Sequence, residues 1–185
     1  MTHQESNDAE LMACLAKGEV SALGELARRH QHRVLEIAFR TLGHWDLAED
    51  VAQETFLRIY RAAKHYRPDA QFTTWLYRIV VNLCLDEQRR RAKSAAPLES
   101  IASEGLPASD TDSAERREIA ELVRAAVQEL PERQRVAIVL YRYEGLNHTQ
   151  ISEVTGWSQS AVESLLVRAY ANLREKLAKI ENSSE

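Results

Sequence analysis

Between Lys64 and Arg91 the chain alternates rings with cations. Tyr66, Phe72, Trp75 and Tyr77 are interleaved with Lys64, Arg67, Arg78 and the run Arg89-Arg90-Arg91. A flat ring stacks on an unpaired base, and a neighbouring cation holds the phosphate beside it. The pattern therefore suits single-stranded nucleic acid better than a closed duplex. Arg78 and Asn82 are four residues apart, so they share one face of a helix. Tyr66 and Phe72 fall outside the regular helical pattern and are the better candidates for base contact. Trp75 and Tyr77 are expected to be at least partly buried. The plainer alternative is that the rings are core and the three arginines a solvated helix end, favoured by the helix dipole.

A second constellation lies at residues 147–170 (NHTQISEVTGWSQSAVESLLVRAY). Asn147 can cap a short helix, with Gln150 at the third position of the box. Gly156 stands where a sharp turn needs a left-handed residue. Ser158 can cap a second helix. Ile151, Trp157, Val162 and Leu165 are placed to lock the two helices at a steep angle, and Ser152 is small enough for close approach. This is the register of a helix-turn-helix, whose second helix enters the major groove of DNA. Its outward residues are Gln159, Ser160, Glu163, Ser164, Val167 and Arg168. Gln reads adenine and Glu accepts from cytosine, while Arg168 better suits a phosphate. The plainer alternative is a helical hairpin that packs on a protein.

A third set is acidic. A helix beginning at Asp46 presents Glu49, Asp50, Gln53, Glu54, Leu57 and Arg58 on its outer side. An acidic stripe with an exposed leucine repels DNA and fits a protein with a basic docking surface. A merely solvated face is the bland alternative.

The elements that must position these residues are all helical in period. Glycine (6) and proline (4) are scarce, which argues against a sandwich or barrel. Helices are expected over Asp8 to Lys17, from Ser21 as cap to Gly43, from Asp46 as cap with Glu49 as partner, and from Thr73 or Thr74 to about Arg91. Residues 94–111 replace periodic apolar positions with small residues, Pro97, Gly105 and Pro107. They read as a flexible linker. Beyond it, Asp112 and Glu115 form a possible capping pair, and Ile119, Leu122, Val123, Ala126, Val127 and Leu130 follow at helical spacing. Pro131 suits a first helical turn, and Val136 to Tyr143 reads as the next helix, ended by Gly145. The expected architecture is all-α: two small helical domains, 1–93 and 114–185, joined by a linker at 94–113.

Charge is unevenly spread. Residues 55–93 carry nine basic and three acidic side chains, whereas residues 1–54 carry five and ten. The whole chain is at −4, which argues against a general nucleic-acid coat; a localised basic patch is what a directed phosphate contact needs, but on charge alone a solvated helix face is the favoured reading. Catalysis finds no support, since there is no nucleophile–base pair, phosphate loop or HExxH spacing. The six histidines are scattered, and His30 and His32 face different ways on a helix. No metal and no cofactor are expected. Ile79 to Leu85 is far shorter than the ~18 apolar residues of a membrane span, and the first ten residues carry no secretory pattern. Cys14 and Cys84 form no pairing framework, which fits a reducing cytoplasm.

Taken in order, DLAEDVAQETFLRIYRA (46–62), FTTWLYRIVVNLCLDEQRRR (72–91) and the stretch from Glu129 to Leu177 resemble the extracytoplasmic-function (group 4) sigma factors of bacterial RNA polymerase, within the sigma-70 family. The resemblance covers nearly the whole chain outside the termini and linker. It implies family region 2 over roughly 20–93 and region 4 over roughly 114–181. It implies that Asp46, Glu49, Asp50, Gln53, Glu54, Leu57 and Arg58 dock on the polymerase core, at the β′ coiled coil, with the β subunit a further contact. It implies that Lys64, Tyr66, Arg67, Phe72, Trp75, Arg78, Asn82, Asp86 and Arg89 melt and read the −10 element, with a flipped base near Phe72, Trp75 and Asn82. The −35 element would fall to His148, Ser158, Gln159, Ser160, Glu163, Ser164, Val167 and Arg168. Promoter DNA, core polymerase and an anti-sigma protein are the implied partners. Many relatives carry a basic residue where Glu163 stands and an arginine where Tyr170 stands, so Glu163 is open between reading a base and repelling phosphate. The rival classes are a stand-alone helix-turn-helix regulator and a protein-binding adaptor.

Overall fold

The computed structural model describes residues 7–68, 71–94 and 114–181. Among them the order is α1 (Asp8–Ala16), α2 (Val20–Leu42), α3 (Trp45–Ala62), a 3-10 turn (Ala63–His65) and α4 (Phe72–Ser94). Then come α5 (Ala114–Gln128), α6 (Glu132–Ile138), a π-helical turn (Val139–Tyr143), α7 (His148–Thr155) and α8 (Gln159–Glu181). There is no strand among the described residues. The expected linker and the Asp112 cap lie outside the described residues.

The N-terminal domain is held by three long helices. Leu26, Val34, Ile37 and Ala38 of α2 meet Val51, Thr55 and Ile59 of α3 and Leu76, Val80 and Leu83 of α4, all buried. Each large side chain so buried contributes about 1.5–3 kcal/mol. α2 stops at Gly43, whose φ of 77° is left-handed and whose N–H donates to the Phe39 carbonyl at 2.8 Å. α1 is pinned across α2: Asp8 meets Arg29 at 3.2 Å and His30 Nε2 at 2.9 Å. His32 turns outward toward Glu36, so the two histidines do not converge, and no group of metal-ligating side chains occurs among the described residues.

Several expected helix starts are displaced. α2 begins one residue before Ser21, with Glu19 at the cap position and no side-chain bond. α3 begins at Trp45, not after an Asp46 cap, and Glu49 accepts from the Trp45 indole N–H at 2.9 Å instead of closing a capping box. Packing of Trp45 edge-on to Phe39, with ring centroids 5.6 Å apart, outweighs the local cap. α4 starts at Phe72, earlier than expected, because the Gln71 carbonyl accepts from both Thr74 and Trp75.

The C-terminal domain uses shorter pieces. Ala126 and Val127 of α5 and Leu130 just beyond its end are buried, but Ile119 is 53% exposed although it keeps the period. Pro131 sits at the cap of α6 rather than inside its first turn. The expected helix Val136 to Tyr143 is divided: α6 ends at Ile138 and passes into the π turn. The widened turn keeps Val139 and Leu140 buried and swings Tyr143 and Glu144 back toward α2. α8 closes the domain with Val162, Leu165, Leu166 and Ala169. The two domains touch, α5, α6 and the π turn lying on α2 and α7 lying on α4. Among the described residues, no helix is long and apolar enough to cross a membrane.

Candidate nucleic-acid interface

The acidic stripe is presented as its spacing requires. Val51, Thr55 and Ile59 turn α3 into the core, leaving Asp46, Glu49, Asp50, Gln53 and Leu57 exposed and Glu54 and Arg58 half-buried. The face is not a flat stripe, however. It forms one wall of a groove of about 350 Å³ with α4, lined by Leu47, Asp50, Val51, Glu54, Leu83, Asp86, Glu87 and Arg90. Its floor is apolar and its rims are acidic. Arg58 meets Glu54 at 3.1 Å and Arg90 meets Glu87 at 2.7 Å; each pair has at least one partner open to water, so each contributes little to stability. Such a groove matches a basic amphipathic helix. Glu87 is unsignalled in the sequence, and Arg90 is read there only as part of the basic run Arg89-Arg90-Arg91, because nothing local says that α4 flanks α3. Asp86 stands on the seam, lining this groove while sharing a helix face with Asn82 and paired to Arg89 at 2.9 Å.

The ring cluster is real but differently arranged. Tyr66, Phe72 and Trp75 pack together, with centroids 5.0 Å (Tyr66–Trp75), 5.8 Å (Phe72–Trp75) and 6.2 Å (Tyr66–Phe72) apart. Phe72 does not lie outside the helix. It opens α4, is only 6% exposed, and its other side meets the His30 ring at 5.2 Å. Its role as a direct base contact is therefore corrected: a ring walled on both sides has no free face to stack. Phe72 is the support on which Tyr66 and Trp75 rest, both half-buried with an edge toward solvent. Burial, and secondarily the charge of Asp8, pushes the Tyr66 phenol above its usual pKa. Tyr77 is buried on the opposite face. Lys64, Arg67, Asn82 and Arg89 are exposed beside the cluster. Arg78 is exposed too, but its guanidinium is engaged: Nε and Nη2 donate to the Glu153 carbonyl at 3.1 and 2.5 Å.

The helix-turn-helix is built by local bonds. The Asn147 side chain accepts from Gln150 N–H at 2.9 Å, and the Gln150 side chain accepts from Asn147 N–H at the same distance. Gly156 takes φ 73° and donates to the Ser152 carbonyl at 2.8 Å. The Ser152 hydroxyl donates across the turn to the Trp157 carbonyl at 2.5 Å. Ser158 accepts from Ala161 N–H at 3.2 Å and so starts α8. Trp157 is half-buried beneath the Arg133 guanidinium, 4.5 Å from the ring centroid. Gln159, Ser160, Glu163, Ser164, Val167 and Arg168 are all exposed, Val167 at 65%. His148 is half-buried against Tyr141. Thr149, which the sequence reading passed over, accepts from the Gln159 side chain at 3.1 Å.

The cysteines play no part in these surfaces. Cys84 is buried and its thiol is pushed well above its usual pKa by that burial, so it is held as an inert thiol.

Comparison with known proteins follows the same division. The sigma-70 region 2 profile matches residues 26–94, and the sigma-70 region 4 profile matches residues 118–173. The ECF RNA polymerase sigma factor SigM of Mycobacterium tuberculosis (strain H37Rv) is 35% identical over 174 residues, covering 94% of this chain and 86% of that protein. The ECF RNA polymerase sigma factor SigE of Mycolicibacterium smegmatis is 36% identical over 176 residues, covering 92% of this chain and 67% of that protein. Among solved structures, CnrH in complex with the cytosolic domain of CnrY superposes with a TM-score of 0.67 at 30% identity, over 93% of this chain and 97% of that one. Matched by profile in both helical domains and by relatives along nearly its whole length, the chain belongs to the extracytoplasmic-function sigma factors of the sigma-70 family.

Proposed function

We propose that this sigma factor divides promoter recognition among three surfaces, and that it acts by binding rather than by catalysis. The groove between α3 and α4 takes a basic amphipathic helix of the polymerase core, with Asp50, Glu54 and Leu57 at its centre. Trp75, Tyr66 and Asn82 catch a base of the unstacked −10 strand, while Lys64, Arg67 and Arg89 hold its phosphates. α8 reads the −35 element through Gln159, Ser160, Glu163, Ser164 and Arg168. Melting is driven by differential binding, because a base held in a ring-lined site is available only after it leaves the stack.

One observation carries this reading best. The half-exposed Trp75 and the exposed Asn82 and Arg89 lie on the same helix that walls the acidic groove, and Tyr66, Lys64 and Arg67 precede it directly in the chain. One element thus joins polymerase docking to strand capture. The domains are proposed as 1–93 and 114–185, with 94–113 as their tether. A chain of that length spans at most about 65 Å when extended, so both promoter elements can be engaged at once, and neither domain need bind tightly alone. The cytoplasm, where polymerase works, is the proposed location. An anti-sigma protein is the proposed regulator, supported by the 30%-identical CnrH having been solved with the cytosolic domain of CnrY.

Run-off transcription tests this directly. Purified protein with bacterial core polymerase and fragmented DNA from the same source should give new start sites that share upstream sequence. Tight duplex binding by the protein alone, with no transcript, would instead favour a stand-alone helix-turn-helix regulator.

A further inference from the structure

The rings assigned to the −10 base do not stand on α4 alone. Phe72 backs both of them, 5.8 Å from Trp75 and 6.2 Å from Tyr66 between centroids. Phe72 is itself backed by the His30 ring of α2, at 5.2 Å. The His30 side chain is only 12% exposed, and its Nε2 lies 2.9 Å from Oδ2 of Asp8. A carboxylate only accepts, so Nε2 carries the hydrogen, and the bond fixes the plane of the imidazole. The other oxygen of Asp8 meets Arg29 at 3.2 Å, and Arg29 is tied in turn to Glu25 at 2.7 Å.

Asp8 is the first residue of α1, and α1 is firmly built. Asn7 and Glu10 close a capping box ahead of it, and Leu11, Met12 and Leu15 are buried. α1 also packs on the 3-10 turn Ala63–His65, which delivers Tyr66. Burial, and after it the charge of Asp8, raises the pKa of the Tyr66 phenol, so the carboxylate is felt at the second ring as well. The match to sigma-70 region 2 begins at residue 26, so it leaves α1 without a role. A ring wall receives a base well only if the wall is already in place when the base arrives. Phe72 can turn about its side-chain bonds unless something on its far side stops it. His30 is that stop, and Asp8 keeps His30 from turning.

We propose that Asp8 and His30 are positioning residues for strand capture: through the Asp8–His30 bond, α1 braces Phe72 and so sets the wall on which Trp75 and Tyr66 receive the unstacked −10 base. The proposal rests on the assignment of α4 to strand capture. Neither residue touches DNA. Both act when the base leaves the stack, after the promoter is bound. Polymerase docking is untouched, since no residue lining the α3–α4 groove belongs to this chain of contacts.

The test uses holoenzyme assembled from core polymerase and the full chain. The dependence of open-complex formation on holoenzyme concentration separates initial promoter binding from the isomerisation that follows. His30→Leu fills similar space but cannot donate to Asp8, and Asp8→Ala removes the acceptor. Each should slow isomerisation about fivefold, the worth of one hydrogen bond written as a ratio. Initial binding and polymerase affinity should not change. His30→Gln, whose amide nitrogen reaches the place of Nε2, should restore most of the rate. A brace acts only through the rings it holds, so adding His30→Leu to Trp75→Ala should cost less than about twofold more. Wild-type isomerisation in both His30→Leu and Asp8→Ala, with Trp75→Ala slow, would overturn the brace and leave strand capture standing. A full loss from His30→Leu that persisted beside Trp75→Ala would also overturn it, as the mark of a general defect of the fold. Normal isomerisation with Trp75→Ala would overturn the strand-capture assignment, and the brace with it.

Discussion

The two domains meet nucleic acid with differently made surfaces. In the C-terminal domain the side chains proposed to read the −35 element stand exposed on α8, and what aims them is local: two caps, one left-handed glycine and a serine bond across the turn. In the N-terminal domain the two rings proposed for strand capture, Tyr66 and Trp75, are half-buried, and what aims them is distant in sequence. Phe72 rests on His30, some forty residues earlier, and Tyr66 and Trp75 rest on Phe72. A duplex groove offers edges that exposed polar groups can reach. An unstacked base needs a preformed apolar wall. On the proposed assignment, the difference in construction follows from the difference in target.

The largest expected effect comes from neither surface but from the groove that recruits both. Asp50→Lys with Glu54→Lys turns an acidic rim basic, opposite a basic partner. Binding to core polymerase should be lost in a pull-down or fluorescence titration, while circular dichroism stays helical, because Asp50 is exposed and Glu54 half-buried. Unchanged polymerase affinity would remove the docking role from this face and leave the two DNA surfaces without a common anchor.

Within the N-terminal surface, Phe72 and Trp75 should separate. Phe72→Ala empties a buried ring site and should cost about 3–5 kcal/mol of stability, seen as a lower denaturation midpoint. Trp75→Ala or Asn82→Ala should spare stability and polymerase binding but lower open-complex formation, by about tenfold for one lost stacked base. If Trp75→Ala lowered polymerase binding and promoter opening equally, the ring would be a core element like Phe72, and the contrast between the two would vanish.

That contrast also marks what was legible in the sequence. The helix-turn-helix was readable residue by residue, since Asn147, Gln150, Gly156 and Ser158 do their work within a few positions of themselves. The outer face of α3 was readable from period alone. Phe72 was misplaced because its burial depends on His30 and on a helix that starts early at the Gln71 carbonyl. The caps at Ser21 and Asp46 failed for a related reason: packing of Trp45 against Phe39 sets the start of α3, and no local bond competes with it. The second wall of the groove and the Glu144–Arg33 contact were invisible because each pairs residues from helices that only tertiary contact brings together. Local chemistry is written in spacing; pairing between elements is not.

On the C-terminal surface, Glu163→Ala should alter preference at a single position of the −35 element, by about 1–3 kcal/mol if the carboxylate accepts from a cytosine. The check is a transcription or binding series across all single substitutions of that element. A uniform gain at every position would mean that Glu163 only repels phosphate, and it would grow weaker as salt is raised.

The smallest effect probes the claim that this surface is locally built. Asn147→Ala removes the side-chain acceptor of the Gln150 N–H and frees the Gln150 side chain in turn. Loss of such a cap costs about 1 kcal/mol. Because α7 has only eight residues, that loss falls on a helix with little else of its own to hold it. Hydrogen exchange should therefore speed up in α7 and the turn to α8, by about fivefold for 1 kcal/mol. The amides of α2 to α4 should be unmoved apart from those beneath α7. Discrimination among −35 sequences should fall with it, since Gln159 and Ser160 follow directly from that turn. If exchange instead rose evenly across both domains, the helix-turn-helix would owe its order to the packing of α7 on α4, and the two surfaces would be built alike after all.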